Sequence, residues 1–87
     1  MNPTTLLSMQ SAQSATVLRL QSPADRGVEP GMLTRLAELG FLPGEALTVL
    51  RRGPGGREPI AVQIGDTVFA LRAIEAGCIQ VTPGGAA

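Results

Sequence analysis

PIAVQIGDTVFALR, residues 59–72, reads as two strands joined by the shortest connection a β-hairpin uses. Residues 59–64 and 67–72 are rich in apolar and β-branched types, and Gly65-Asp66 between them is a Gly-X pair of the kind that supplies the positive φ of a two-residue turn. That turn length fixes register. Ile64 falls opposite Thr67, Val62 opposite Phe69 and Ile60 opposite Leu71. These six share one face, and five of them are apolar, while Ala61, Gln63, Val68, Ala70 and Arg72 share the other. Turn chemistry and alternation agree, which is what a unique register requires.

Working outward, EALTVLRR (45–52) is a strand that reaches the hairpin through the loop GPGGRE (53–58). ATVLRL (15–20) is an earlier strand, with Val17 and Leu18 on opposite faces. AIEAG (73–77) is one helical turn, and CIQV (78–81) is a last strand with Ile79 and Val81 on one face. QSPADRGVEPG (21–31) is a loop rich in Pro, Gly, Ser and Asp. After it, Met32, Leu33, Leu36 and Leu39 make the apolar stripe of a helix, with Arg35 and Glu38 three apart on its wetter side as a weak pair. Gly40 is expected as a left-handed C-cap, with Phe41 and Leu42 folding back on the last helical turn. Pro43-Gly44 fits the centre of a type II turn. Five short strands with one inserted helix predict a mainly β domain, a small closed barrel at residues 15–82, since a sheet this small would otherwise leave its edges open. Residues 1–14 are weakly patterned, with Leu6, Leu7 and Met9 packing as one short turn, and residues 83–87 form a flexible tail.

The 87 residues are 44% hydrophobic, enough for one small core and too few for two. Phe41 and Phe69 are the only aromatic residues, so the core is aliphatic. Seven arginines balance seven acids, and there is neither lysine nor histidine. A net charge of zero argues against nucleic-acid binding, and stacking platforms for single strands are missing. The single cysteine, Cys78, forms no internal disulfide and suits a reducing compartment. The first residues carry no basic segment ahead of a long apolar run, and no apolar stretch reaches the roughly 18 residues of a membrane span. The expectation is a cytoplasmic protein with no direct membrane insertion.

Three stretches together resemble the FeoA family: RLAELGFLPGEALTVLRR (35–52), PIAVQIGDTVFALR (59–72) and IEAGCIQV (74–81). In that family a helix ends in an LG-apolar-x-PG turn, a strand closes on basic residues, and a glycine-turn hairpin leads through an EA step to a final strand. Residues 15–82 fit this plan. The resemblance implies an SH3-like barrel with one inserted helix and a short helical turn before the last strand. It also implies an accessory or regulatory role in bacterial ferrous iron uptake. The implied partner is FeoB, a membrane transporter with a cytoplasmic G-protein domain, which would recruit the chain to the inner membrane. The same barrel occurs as a C-terminal module in some iron-dependent repressors. An SH3-like interaction module of a metal-responsive transcription regulator system is therefore the alternative.

The residues themselves offer little chemistry. Iron(II) sites favour imidazole with carboxylate, and this chain has no histidine. A lone cysteine makes no thiolate cluster. Of the carboxylates only Asp25 and Glu29 lie close in sequence, so no metal site and no cofactor are expected, and an iron-delivery role is disfavoured. Without His for a triad, Lys for a Schiff base or a Walker-type loop, no catalytic residue is expected either. Cys78 reads as a small apolar filler. Proline-rich peptide recognition needs an aromatic groove that two phenylalanines do not build. What remains is a protein-binding surface. Phe41 and Leu42 are its candidate apolar part, against the competing reading of a helix stop pinned to the core. Arg51, Arg52 and Arg57 around the 53–58 loop are its candidate basic part, against the reading of a solvated strand end. Homo-oligomerisation is left open by the sequence, as is the direction of any regulation.

Overall fold

The computed structural model describes residues 4–22 and 30–83. Six strands form one sheet: β1 (Thr4–Thr5), β2 (Ser14–Leu20), β3 (Ala46–Gly53), β4 (Arg57–Ile64), β5 (Thr67–Leu71) and β6 (Ile79–Pro83). Their order across it is β1-β6-β2-β3-β4-β5, and each neighbouring pair is antiparallel. Helix α1 (Pro30–Leu39) lies between β2 and β3 in the chain, and the single turn α2 (Ala73–Ala76) lies between β5 and β6. The body is nearly isometric, 31 × 29 × 28 Å. The expected closure is not complete: β1 and β5 are the ends of the sheet and do not pair, so the barrel is open.

The β4–β5 hairpin has the register its turn dictates, with Ile64 opposite Thr67, Val62 opposite Phe69 and Ile60 opposite Leu71. Gly65 holds φ at 59°. Ile60, Val62, Ile64 and Leu71 are buried, and Thr67 at the turn is exposed. Across the sheet, Ile79 and Val81 of β6 and Ala15 and Val17 of β2 fill the same core.

Besides a register shift between Arg52 and Gly53 at the 53–58 connection, two bulges interrupt the ladders, and neither is announced by the sequence. In β2 the register against β6 shifts between Val17 and Arg19, and in β3 the register against β4 shifts between Val49 and Arg51. Each shift leaves one leucine unpaired, Leu18 and Leu50, both exposed. The reason lies in parity. Alternation from Ala15 and Val17 would turn Arg19 inward, and alternation from Leu47 and Val49 would turn Arg51 inward. One extra residue resets the face. Arg19 now faces outward opposite Gln80, Leu20 returns to the core opposite Ile79, and Arg51 faces outward opposite Ala61.

Helix α1 ends as its sequence predicts. Gly40 sits at φ 115°, the Gly40 N–H donates to the Ala37 carbonyl, and the Phe41 N–H donates to the Leu36 carbonyl. This is the double bond of a Schellman cap. The Glu45 N–H then reaches the Leu42 carbonyl at 3.0 Å with Gly44 at φ 90°, closing the expected turn around Pro43-Gly44. The stripe of α1 is confirmed: Leu36 is buried, and Met32, Leu33 and Leu39 pack on the core.

The ends of the folded unit differ from the 15–82 expectation. Thr4 and Thr5 pair with Val81 and Gln80, and the short turn at Leu6–Ser8 buries Leu6 and, just after it, Met9. Residues 4–14 are thus part of the domain. At the other end β6 runs to Pro83, opposite Ala15. The remaining tail and most of the 21–31 loop lie outside the described residues. The 53–58 loop is shorter than expected, a single 3-10 turn at Pro54–Gly56, with β4 already begun at Arg57. Gly53 is required there, because a Cβ would stand 2.5 Å from the Glu58 carbonyl oxygen.

Candidate docking surface

The five residues singled out for docking part company in the structure. Phe41 is fully buried, the largest such side chain, and its ring lies 5.6 Å from that of Phe69 in a tilted pair. It is a core residue and offers nothing to a partner, which corrects its expected role. The Schellman cap explains why: the residue after the glycine is drawn back over the last turn. Leu42, next in the chain, is turned outward and is 47% exposed.

Arg51 is exposed on the outer face of β3, in line with Ala61 of β4 and Ala70 of β5. With Arg52, Gly53, Pro54 and Pro59 these residues line a shallow groove of about 510 Å³. Arg52 is not a solvated strand end. The bulge at Leu50 places it on the inner face, opposite buried Ile60, and its Nη1 donates to the carbonyls of Leu7 at 2.9 Å and Met9 at 2.7 Å. It ties the N-terminal turn to β3. The Arg57 backbone opens β4, while its side chain lies outside the described residues. Leu42 precedes β3 and Arg51 is the sixth of its eight residues, so five residue steps of strand, about 17 Å at 3.3 Å per residue, separate the start of β3 from the basic part.

A second concavity went unnoticed in the sequence. Arg35 and Leu39 of α1, Phe69, Ala70 and Leu71 of β5, and Arg72 with Glu75 enclose a cleft of about 320 Å³. Glu75 is buried, and its Oε1 accepts the Arg72 N–H at 2.8 Å, capping α2. The same carboxylate meets the Arg72 guanidinium at 3.7 Å and that of Arg35 at 3.9 Å. Arg35 is therefore paired across the fold and not with Glu38. The signal that could have found this cleft is the acid at Glu75 between an ALR strand end and a buried Cys78, but nothing in the sequence brings Arg35 to it.

Cys78 is buried, and its thiol donates to the Ile74 carbonyl at 3.3 Å. Burial pushes the thiol above its ordinary pKa, and the Glu75 charge adds to the shift. Among the described residues no three of His, Cys, Asp and Glu gather as metal ligands. No helix among them is long and apolar enough to cross a membrane.

An open antiparallel β-barrel of this size, with a helix between its second and third strands, defines a small SH3-like domain whose described surface presents grooves and charge. A family model for the FeoA domain matches residues 4–83, and the chain belongs to the FeoA family, which is associated with ferrous iron transport. No curated protein sequence matches it. Among solved structures it is similar to the zinc complex of Stenotrophomonas maltophilia FeoA, described as a procaryotic SH3 domain protein, at 40% identity and a TM-score of 0.77, covering 90% of this chain and 88% of that one. It is similar also to the FeoA protein of Chlorobium tepidum, at 29% identity and a TM-score of 0.76, covering 95% and 72%. A manganese-dependent transcriptional repressor shares the fold at 24% identity and a TM-score of 0.75, over 95% of this chain and 42% of the repressor.

Proposed function

We propose that this protein is a non-enzymatic accessory and regulatory component of bacterial ferrous iron uptake. It docks on the cytoplasmic side of a FeoB-type transporter and modulates the G domain or the channel. The observation that carries this reading is the match of residues 4–83 to the FeoA domain, joined by 40% identity to a protein named as a candidate ferrous iron transport activating factor. The physical mechanism is population shift: the chain binds one transporter conformation better than another, and only that difference moves the equilibrium. Leu42, Arg51 and Arg57 are the docking residues of this reading, and Phe41 and Arg52 support it only by holding the fold. The protein is cytoplasmic and reaches the inner membrane through its partner. The likeness to the repressor is one of fold and does not favour the regulator alternative.

The test is calorimetry of the chain with the detergent-solubilised transporter, with and without guanine nucleotide, alongside nucleotide turnover and iron flux. Saturable binding that changes with nucleotide supports the reading, and L42A, R51A and R57A should then weaken it. Unchanged turnover and flux at saturating chain would remove the modulatory claim.

A further inference from the structure

We infer that the cleft between α1 and the free edge of β5 is a strand-addition site for an extended polypeptide segment carrying an acidic residue. The geometry alone supports this, whether or not the partner is a transporter.

The sheet has two ends. β1 is only two residues long, and such brevity blunts an edge. β5 has five residues, TVFAL, without a charge, a proline or a bulge in its ladder. The strand itself carries none of the charges, prolines or bulges by which edge strands discourage pairing. In a two-residue hairpin the residues flanking the turn exchange both hydrogen bonds, and bonded and non-bonded pairs then alternate. Thr67, Phe69 and Leu71 are therefore bonded to β4, and the N–H and C=O groups of Val68 and Ala70 point to the free side. Among the described residues no backbone hydrogen bond from another element reaches Thr67–Leu71. Val68 is 56% exposed, the most exposed large apolar side chain described.

The free edge does not face open water along its whole length. Arg35 and Leu39 of α1 stand across the cleft from Phe69–Leu71. A helix beside an unpaired strand is the arrangement in which domains accept a peptide as an added strand, with backbone bonds giving affinity and side-chain pockets giving selectivity. The cleft volume, about 320 Å³, lies at the low end of ligand sites. Leu39, Phe69 and Leu71 supply an apolar floor. Charge selects the occupant. The Arg35 and Arg72 side chains are 68% and 64% exposed, whereas the one carboxylate between them is 8% exposed and engaged by both. The accessible charges that line the cleft are these two guanidiniums, with the exposed Glu58 carboxylate outside the lining on the Ala73 N–H, and an acidic side chain of the added strand meets both guanidiniums.

The experiment pans a displayed library of random short peptides on the full chain, then measures the enriched peptides by fluorescence anisotropy and amide hydrogen exchange. Enriched peptides should alternate β-branched residues and carry Asp or Glu, and they should slow exchange at the Val68 and Ala70 amides. V68P removes an outward N–H without touching the β4 ladder, and should weaken binding at least about tenfold. R35Q should weaken the acidic peptides and flatten their salt dependence. Equal affinity for V68P, protection elsewhere than Val68 and Ala70, or no enriched peptide at all would overturn the inference. So would concentration-dependent protection of β5 in the chain alone, which would make a second copy the occupant. The exchange readout uses the unmutated protein, so the outcome stands even if V68P does not fold.

Discussion

Phe41 and Leu42 are neighbours of similar character with opposite fates. The glycine cap decides between them, because the Phe41 N–H is committed to the Leu36 carbonyl and the ring follows the backbone inward. F41A should therefore cost about 3–5 kcal/mol, with loss of the fold at modest denaturant. L42A should change stability by less than about 0.5 kcal/mol, and chemical denaturation of the pair checks both. Cys78 yields a prediction of a different kind. Its folded pKa is raised, so between the ordinary thiol value and the folded value the native state holds a proton that the unfolded chain releases. Its contribution to stability is whole below about pH 8.5 and declines as pH rises beyond that. C78A should flatten the alkaline limb of a stability–pH curve, and iodoacetamide should label the native thiol far more slowly than the unfolded one.

At the level of elements, the hairpin was legible because two independent signals coincide there: the Gly65-Asp66 turn and the alternation on both sides of it. The helix stop was legible for the same reason, a stripe ending at Leu39 and a glycine after it. The bulges were not. Leu18 and Leu50 continue apolar runs, and only the pairing partners across the sheet reveal that each is a supernumerary residue. Alternation read along one strand is blind to such insertions. Deleting Leu50 should restore a regular ladder with Arg51 still opposite Ala61 and Arg52 still opposite Ile60, and lower the melting temperature by no more than about 8 °C. Deleting Val49 removes a fully buried side chain and should unfold the domain. Thermal melts of the two deletions separate a dispensable residue from a core one. Arg52 departs from the expected solvated strand end for the same reason, since the bulge at Leu50 turns it inward and leaves Arg51 outward.

For the whole molecule, the sequence predicted the class of fold and not how its ends meet. The strand pattern suggested a seamless barrel. The structure has a sheet with two ends, an N-terminal turn packed into the core, and Arg52 bonded to that turn from β3. No sequence rule links residue 52 to carbonyls more than forty positions earlier. R52A should cost about 2–3 kcal/mol through its charge-assisted bonds to backbone. R52K should recover only part of this, because an ammonium lacks the planar fork. A barrel sewn shut by a backbone ladder opens only when everything unfolds. Here the first strand adds only a two-residue ladder to β6 and a side chain ties the turn after it to β3, so this corner has its own opening equilibrium. Native-state exchange should find it as a separate unit, lifting from the Leu6 and Met9 seats while β3, β4 and β6 stay protected. The domain would then breathe at one corner, and Arg52 would set how often.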